Sequence, residues 1–212
     1  MFPLPNNFNV FDVQRQRLIA ALASFPKSSK TEILKGLSLT ERAHAGQYRD
    51  DGAPYAIHPI RMAVSLIKDF NITSPTLVIA ALLHDVVEDT TVTLAAIQKA
   101  CGKTVASLVN DVTDARPPRE TETQKRKRKQ QKLIALLEKR KSSRIVKCAD
   151  ILDNIRSWPL VTDKSSAFHK LTRWVEEARA HSLPFAKATD EKMYRLIKRT
   201  LDAYERPHTK NS

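Results

Sequence analysis

Apolar positions recur along the chain at helical spacing, broken by short polar or proline-bearing stretches. Residues 29–47 set Ile33, Leu34, Leu37 and Ala43 on one face, with Ser29 or Thr31 near the cap, which predicts a helix. A shorter helix is predicted over 11–24, between the breakers Pro3, Pro5, Asn6, Asn7 and Pro26. Residues 49–54 (RDDGAP) read as a turn. Helices follow over 58–70, with Pro59 in the first turn, and over 76–89, which is strongly apolar. Further helices are predicted over 93–102, 103–114, 125–141, 143–158, 163–181 and 188–204, with an irregular, mobile loop at 115–124. No run reads as a strand and no internal repeat is found. The prediction is an all-α single domain over 29–205, preceded by an extension over 1–28 with one short helix and followed by a frayed tail over 206–212.

Composition supports the helical reading. The chain has 212 residues, enough for a real core, yet only 4 glycines and 6 % aromatics, where all-β folds usually need more of both. Cys101 and Cys148 cannot build a disulfide framework and suit a reducing compartment. The opening residues do not show a charged n-region followed by an apolar h-region, so no signal peptide is expected. Apolar runs such as 77–83 are far shorter than a membrane span. A soluble, cytoplasmic protein without a membrane partner is therefore expected.

Charge changes the picture once it is localised. The net is +13, but residues 1–114 carry 11 basic and 11 acidic side chains and balance. Residues 115–147 carry 13 basic and 3 acidic, a net of +10, and residues 148–212 carry 12 and 9, a net of +3. A basic stripe of this kind attracts polyanions such as a nucleic acid, an anionic lipid or a multiply phosphorylated small molecule. A solvated basic helix with no ligand is the plainer alternative.

The candidate chemistry starts at the end of the helix predicted over 76–89. Its first half is apolar all round and must be buried, and its second half presents His84, Asp85, Glu88 and Asp89. Helical spacing stacks His84 over Glu88 and Asp85 over Asp89. Buried acids need compensation, which a divalent cation supplies, and an exposed helix end would not need it. Asp150 and Asn154 lie four apart beside the apolar stripe Ile145, Cys148, Ala149, Leu152 and Ile155, so Asp150 also asks for a partner. His58 follows a tight turn. Together His58, His84, Asp85 and Asp150 offer two imidazoles and two carboxylates, a mixed set that suits Mn²⁺, Fe²⁺ or Zn²⁺ rather than a structural zinc site. Glu88 and Asp89 could orient or deprotonate a water, and the basic segment could hold an anionic substrate. This combination points towards hydrolysis of phosphoesters or pyrophosphates.

Four segments in order resemble the motifs of the RelA/SpoT hydrolase domain, a branch of the HD phosphohydrolases. They are HAGQYRDDGAPYAIHP (44–59), ALLHDVVEDT (81–90), GKTVASLVNDVTD (102–114) and KCADILDNIRS (147–157). Nothing resembles a synthetase domain or regulatory modules, so the likeness is to the stand-alone small alarmone hydrolases and covers roughly 30–205. The resemblance implies an all-α HD fold and a Mn²⁺ site that removes pyrophosphate from the 3′ position of (p)ppGpp. It implies His58, His84, Asp85 and Asp150 as metal ligands and Glu88 and Asp89 as the water-activating pair. It further implies Arg49 against the guanine base, Asn154 on the nucleotide, and Arg126, Lys127 and Arg128 on the phosphates, with Arg119 a further candidate. His44 is read as structural, and Leu171 and Trp174 as packing.

Three positions depart from the family pattern. Asp50 stands where a lysine is common, and Ile151 and Asp153 stand where a basic residue and a histidine or tyrosine are frequent. These departures lie beside the expected base and ribose contacts, so (p)ppApp or NADPH are alternative substrates. A basic nucleic-acid-binding protein is the alternative from another class. The chain lacks the interleaved aromatics of a single-strand binder, which counts against it.

Overall fold

The structure is a computed structural model and describes residues 7–114, 117–163 and 167–205. The expected tail at 206–212, the breakers within 1–6, positions 115–116 of the predicted loop and positions 164–166 of the predicted 163–181 helix lie outside the described residues.

The described residues form helices without a strand, and one isolated bridge pairs Tyr48 with Pro54. In chain order the helices are α1 (Phe11–Ala21), α2 (Lys27–Ala43), α3 (Ile57–Lys68), α4 (Pro75–Leu82), α5 (Val86–Asp89), α6 (Leu94–Cys101) and α7 (Lys103–Val112). They continue as α8 (Glu122–Leu137), α9 (Lys141–Ser157), α10 (Leu171–Glu177), α11 (Leu183–Thr189) and α12 (Glu191–Glu205). None of them is long and apolar enough to cross a membrane.

The centre of the fold is α4. Its side chains from Leu77 to Leu82 are all buried, so the helix is enclosed on every side by α2, α3, α7 and α9. Each buried leucine or isoleucine there stabilises the fold by about 1.5–3 kcal/mol. The closest approach is to α2, where a Cβ on Gly36 would stand 3.0 Å from Cγ2 of Ile79. At the far end, α12 lays Met193, Ile197, Leu201 and Tyr204 against α9 and α11. Trp158 joins them, with its ring 5.4 Å from Tyr204 and 6.2 Å from Trp174.

Several element ends differ from the sequence reading. The helix expected over 76–89 is two helices, with Leu83, His84 and Asp85 in the turn between them. Side chains take the carbonyls that a continuing helix would use: Thr40 Oγ1 donates to the Leu82 carbonyl at 2.8 Å, and His84 Nδ1 donates to the Ala81 carbonyl at 2.9 Å. The α2 helix starts at Lys27, directly after Pro26, so Ser29 and Thr31 lie inside it rather than at its cap. The loop expected to reach 124 stops at Thr121, whose side chain and that of Gln124 make a reciprocal capping box. The single helix expected over 163–181 is divided into a 3₁₀ turn, α10 and a π-helical turn at Ala178–Ser182. The gap left between the helices predicted over 163–181 and 188–204 is filled by α11, with Pro184 in its first turn.

Candidate metal centre

Three elements bring the site together. The turn at Arg49–Ala53 closes with hydrogen bonds from Arg49 N to the Ala53 carbonyl and from Gly52 N to the Arg49 carbonyl, both 2.9 Å. Gly52 has φ +82°, which a side chain would strain. This turn delivers Tyr55 and, at the start of α3, His58. The break between α4 and α5 delivers His84 and Asp85, and α9 delivers Asp150 and Asn154.

The four side chains converge. His58 Nε2 lies 3.3 Å from Asp150 Oδ1 and 3.9 Å from Asp85 Oδ2. His84 Nε2 lies 2.9 Å from Asp85 Oδ1 and 4.0 Å from Asp150 Oδ1. The two imidazole rings are 5.1 Å apart. Ligand atoms of His58, His84 and Asp150 all fall within 4.8 Å of one another.

The residues fit a divalent cation. Both imidazoles spend Nδ1 on a fixed acceptor: the Ala81 carbonyl for His84 and Asp153 Oδ2, at 2.7 Å, for His58. That leaves each Nε2, facing the carboxylates, as the nitrogen that could take a cation in place of a proton. His84 Nε2 is buried and makes no hydrogen bond, because Asp85 is close but badly aligned. A cation bridging nitrogen and oxygen would satisfy it. In the protein without metal, burial alone would lower the His84 pKa, but Asp85 outweighs it and pushes the group up to about 9. Burial would raise both carboxyls, yet the His84 imidazolium beside Asp85, and Lys147 beside Asp150, hold them well below the usual range.

An open cavity of about 1280 Å³ leads from this centre to the surface. It is lined by His58, His84, Asp85, Glu88, Asp150 and Asn154, by Arg49 and Asp50, and by much of α8. Glu88 Oε1 accepts from the backbone of Asp114 at 2.6 Å. Asp89 does not line the cavity; its Oδ2 accepts from Tyr55 and its carbonyl from Gln47. Asn154 donates to Asp150 Oδ1 at 2.6 Å. Arg126 pairs with Glu177 at 2.6 Å and Lys127 is exposed, both on the cavity wall. Arg128 also lines the cavity and pairs with Asp114 and Glu120. Arg119 does not line the cavity. Ile151 lines it, whereas Asp153 does not.

Two contributors were missed. Lys147 Nζ lies 2.6 Å from Asp150 Oδ2, and its spacing of three on α9 was the available signal. Tyr55 bridges Asp85 and Asp89 at 2.9 and 2.8 Å. Its ring stacks on His44, which is buried and bonded to Gln47 at 2.7 Å, so the structural reading of His44 agrees with its placement. Leu171 and Trp174 pack partly buried against the core, and Trp174 also reaches the cavity.

The comparisons with known proteins bear on the family and the fold. A family model described as "HD domain" matches residues 36–175. The chain belongs to the HD-domain family. It is 30 % identical over 177 residues to the mouse protein named guanosine-3′,5′-bis(diphosphate) 3′-pyrophosphohydrolase MESH1, covering 82 % of this chain and 96 % of that one. The Drosophila melanogaster protein of the same name is 33 % identical over 168 residues, covering 78 % and 85 %. A solved structure titled "A metazoan ortholog of SpoT hydrolyzes ppGpp and plays a role in starvation responses" superposes with a TM-score of 0.73. It is 25 % identical and covers 86 % of this chain and 98 % of its own. The similar bacterial proteins are much longer: the chain spans 12 % of the Borreliella burgdorferi relative and 21 % of the Mycoplasma pneumoniae one. The resemblance and the all-α HD fold read from the sequence are thus borne out.

Proposed function

We propose that the chain is a Mn²⁺-dependent hydrolase that removes pyrophosphate from the 3′ position of (p)ppGpp, leaving GDP or GTP. The observation that carries this reading is the convergence of His58, His84, Asp85 and Asp150 at the foot of a cavity with a basic wall. The nearly full-length likeness to MESH1 proteins supports the choice of substrate. The proposed unit is residues 29–205, working in the cytoplasm on a small nucleotide.

His58, His84, Asp85 and Asp150 would hold the metal, which when bound acidifies water and polarises a phosphoryl oxygen. Glu88 faces the cavity and orients the attacking water, accepting its proton. Asp89 acts behind it through Tyr55, which ties Asp89 to Asp85. Arg49 stacks on the base, and Asn154 holds the nucleotide beside Asp150. Arg126 and Lys127 meet the phosphates, with Arg126 exchanging Glu177 for the substrate.

The test is product analysis after incubating metal-stripped protein with ppGpp, ppApp and NADPH, each with and without Mn²⁺. Manganese-dependent release of pyrophosphate from ppGpp is the expected result. Faster release from ppApp would assign Asp50 and Ile151 to base choice, and phosphate from NADPH alone would replace the substrate. No turnover of any of the three would overturn the reading.

A further inference from the structure

His58 is held from behind by a run of buried polar groups that ends in the segment ahead of α1. Its Nδ1 lies 2.7 Å from Asp153 Oδ2, and since a carboxylate only accepts, Nδ1 carries the proton. Asp153 is 1 % exposed and takes a two-pronged contact from Arg61, Nε to Oδ1 at 2.8 Å and the terminal nitrogen to Oδ2 at 2.9 Å. Arg61 is itself buried and donates to Ser157 Oγ at 2.8 Å and Asn9 Oδ1 at 3.1 Å. The ring of Phe8 covers its guanidinium at 4.2 Å. Gln14 then pins this segment by donating to the carbonyls of Asn7 and Phe8 at 3.1 and 3.0 Å.

Neither Arg61 nor Asp153 lines the cavity, so neither is placed to touch substrate. A buried ion pair is weak evidence for stability, because desolvation cancels much of its attraction. What this pair does supply is orientation. It fixes the tautomer and the plane of His58 and turns Nε2 towards Asp150 and Asp85. The other imidazole has no such support, since His84 leans on a neutral carbonyl.

We infer that Asp153, locked by Arg61 and the Phe8–Asn9 segment, is a positioning residue for the ligand His58. The stretch before α1 is thereby part of the support of the metal centre, although it lies outside the 36–175 match to the HD-domain model. The inference rests on the reading of the centre as a divalent-cation site.

The test is Mn²⁺ affinity, measured by calorimetry and electron paramagnetic resonance on the whole chain, together with melting in chelator. Arg61→Met with Asp153→Leu removes the pair without leaving a lone buried charge. It is expected to melt near the parent temperature in chelator and to bind Mn²⁺ roughly 10–100-fold more weakly. Phe8→Leu with Asn9→Ala is expected to weaken binding in the same direction by less. Arg156→Ala breaks the neighbouring pair between α9 and Asp69, just past the end of α3, and should leave affinity unchanged. Parent-like affinity in the Arg61/Asp153 variant, with or without a lower melting temperature, overturns the inference. Should that variant fail to fold, unchanged affinity in the Phe8/Asn9 variant overturns it instead. A parent protein that binds no Mn²⁺ would defeat the metal reading itself, and this inference with it.

Discussion

The phenolic oxygen of Tyr55 lies 2.8 Å from Oδ2 of Asp89, and Asp85 Oδ2 is 2.9 Å away on its other side. Burial pushes the phenol far above its ordinary range, and both carboxylates push the same way. One proton therefore joins a proposed metal ligand to a proposed member of the water-activating pair. Tyr55→Phe deletes that proton and keeps the stack on His44. Losing a hydrogen bond to a charged group, worth about 1.5–3 kcal/mol, should lower kcat by roughly tenfold or more. Metal stoichiometry should stay at the parent value. Steady-state kinetics beside a Mn²⁺ titration checks this, and an unchanged kcat would remove Tyr55 from the site.

Metal ligands and water-orienting acids should separate cleanly in a paired measurement. His84→Ala and Asp150→Ala are expected to lose bound Mn²⁺ and turnover together. Glu88→Gln is expected to keep the metal and lose roughly 10²–10⁴ in rate. Full activity in the Asp150 variant would sink the proposed ligand set.

The sequence carried the helices that are amphipathic or wholly apolar, because their periodicity is set by the core they face. It also marked His84 and Asp85 at the end of a wholly apolar helix and Asp150 beside an apolar stripe, where an unpaired charge is costly, whereas His58 was marked only by its place after a tight turn. It did not carry the break after Leu82. That break depends on Thr40, 42 residues away in the chain, capturing a carbonyl of α4. The helix over 183–189 falls in the gap between the helices predicted over 163–181 and 188–204, because Pro184 fits the first turn of a helix and only weakly announces one. Asp153 was noted as a departure beside the ribose contacts, yet it faces away from the cavity. Its partner Arg61 lies 92 residues off, so nothing local announced the pair.

Phosphate contact by α8 should be visible as a salt-dependent KM. Lys127 is exposed on the cavity wall, so Lys127→Ala removes a point charge without opening the core. The expected result is a KM raised severalfold at low salt, a kcat near the parent value, and convergence of the two proteins as salt screens the charge. A fall in kcat at constant KM would place Lys127 in the chemical step instead.

The two thiols should differ in reactivity and in their effect on stability. Burial pushes Cys148 up to about 12, and it also raises the half-buried Cys101, where nearby Lys35 partly offsets it. Near pH 9, iodoacetamide should therefore label Cys101 slowly and spare Cys148 in the folded protein. The sign for stability follows from the raised value. Below the ordinary thiol value of 9.0 both folded and unfolded chains keep the Cys148 proton; above it the unfolded chain loses the proton first. Stability from this group is thus fully present below pH 9.0 and is lost as pH rises towards 12. Urea midpoints measured across that window should fall less steeply for Cys148→Ala.

Gly36 decides how closely α2 approaches α4, and substitutions there should change sign with the residue opposite. In an isolated helix Gly→Ala gains about 1 kcal/mol of helix propensity. Here the added Cβ would stand 3.0 Å from Cγ2 of Ile79. Ile79 is 4 % exposed in the enclosed centre of the fold and has nowhere to move. Overpacking of this kind costs about 1–3 kcal/mol, so Gly36→Ala alone should be destabilising. Ile79→Ala alone should cost about 2–5 kcal/mol through the cavity it leaves. In that background the methyl at residue 36 meets only the Cβ of residue 79, at an ordinary 3.6 Å, and Gly36→Ala should stabilise. A double-mutant cycle by urea denaturation reads this as a coupling of about 1 kcal/mol or more. Additive effects would mean that α2 shifts away from α4 to admit the methyl, and that the close approach is not fixed by the packing around Ile79.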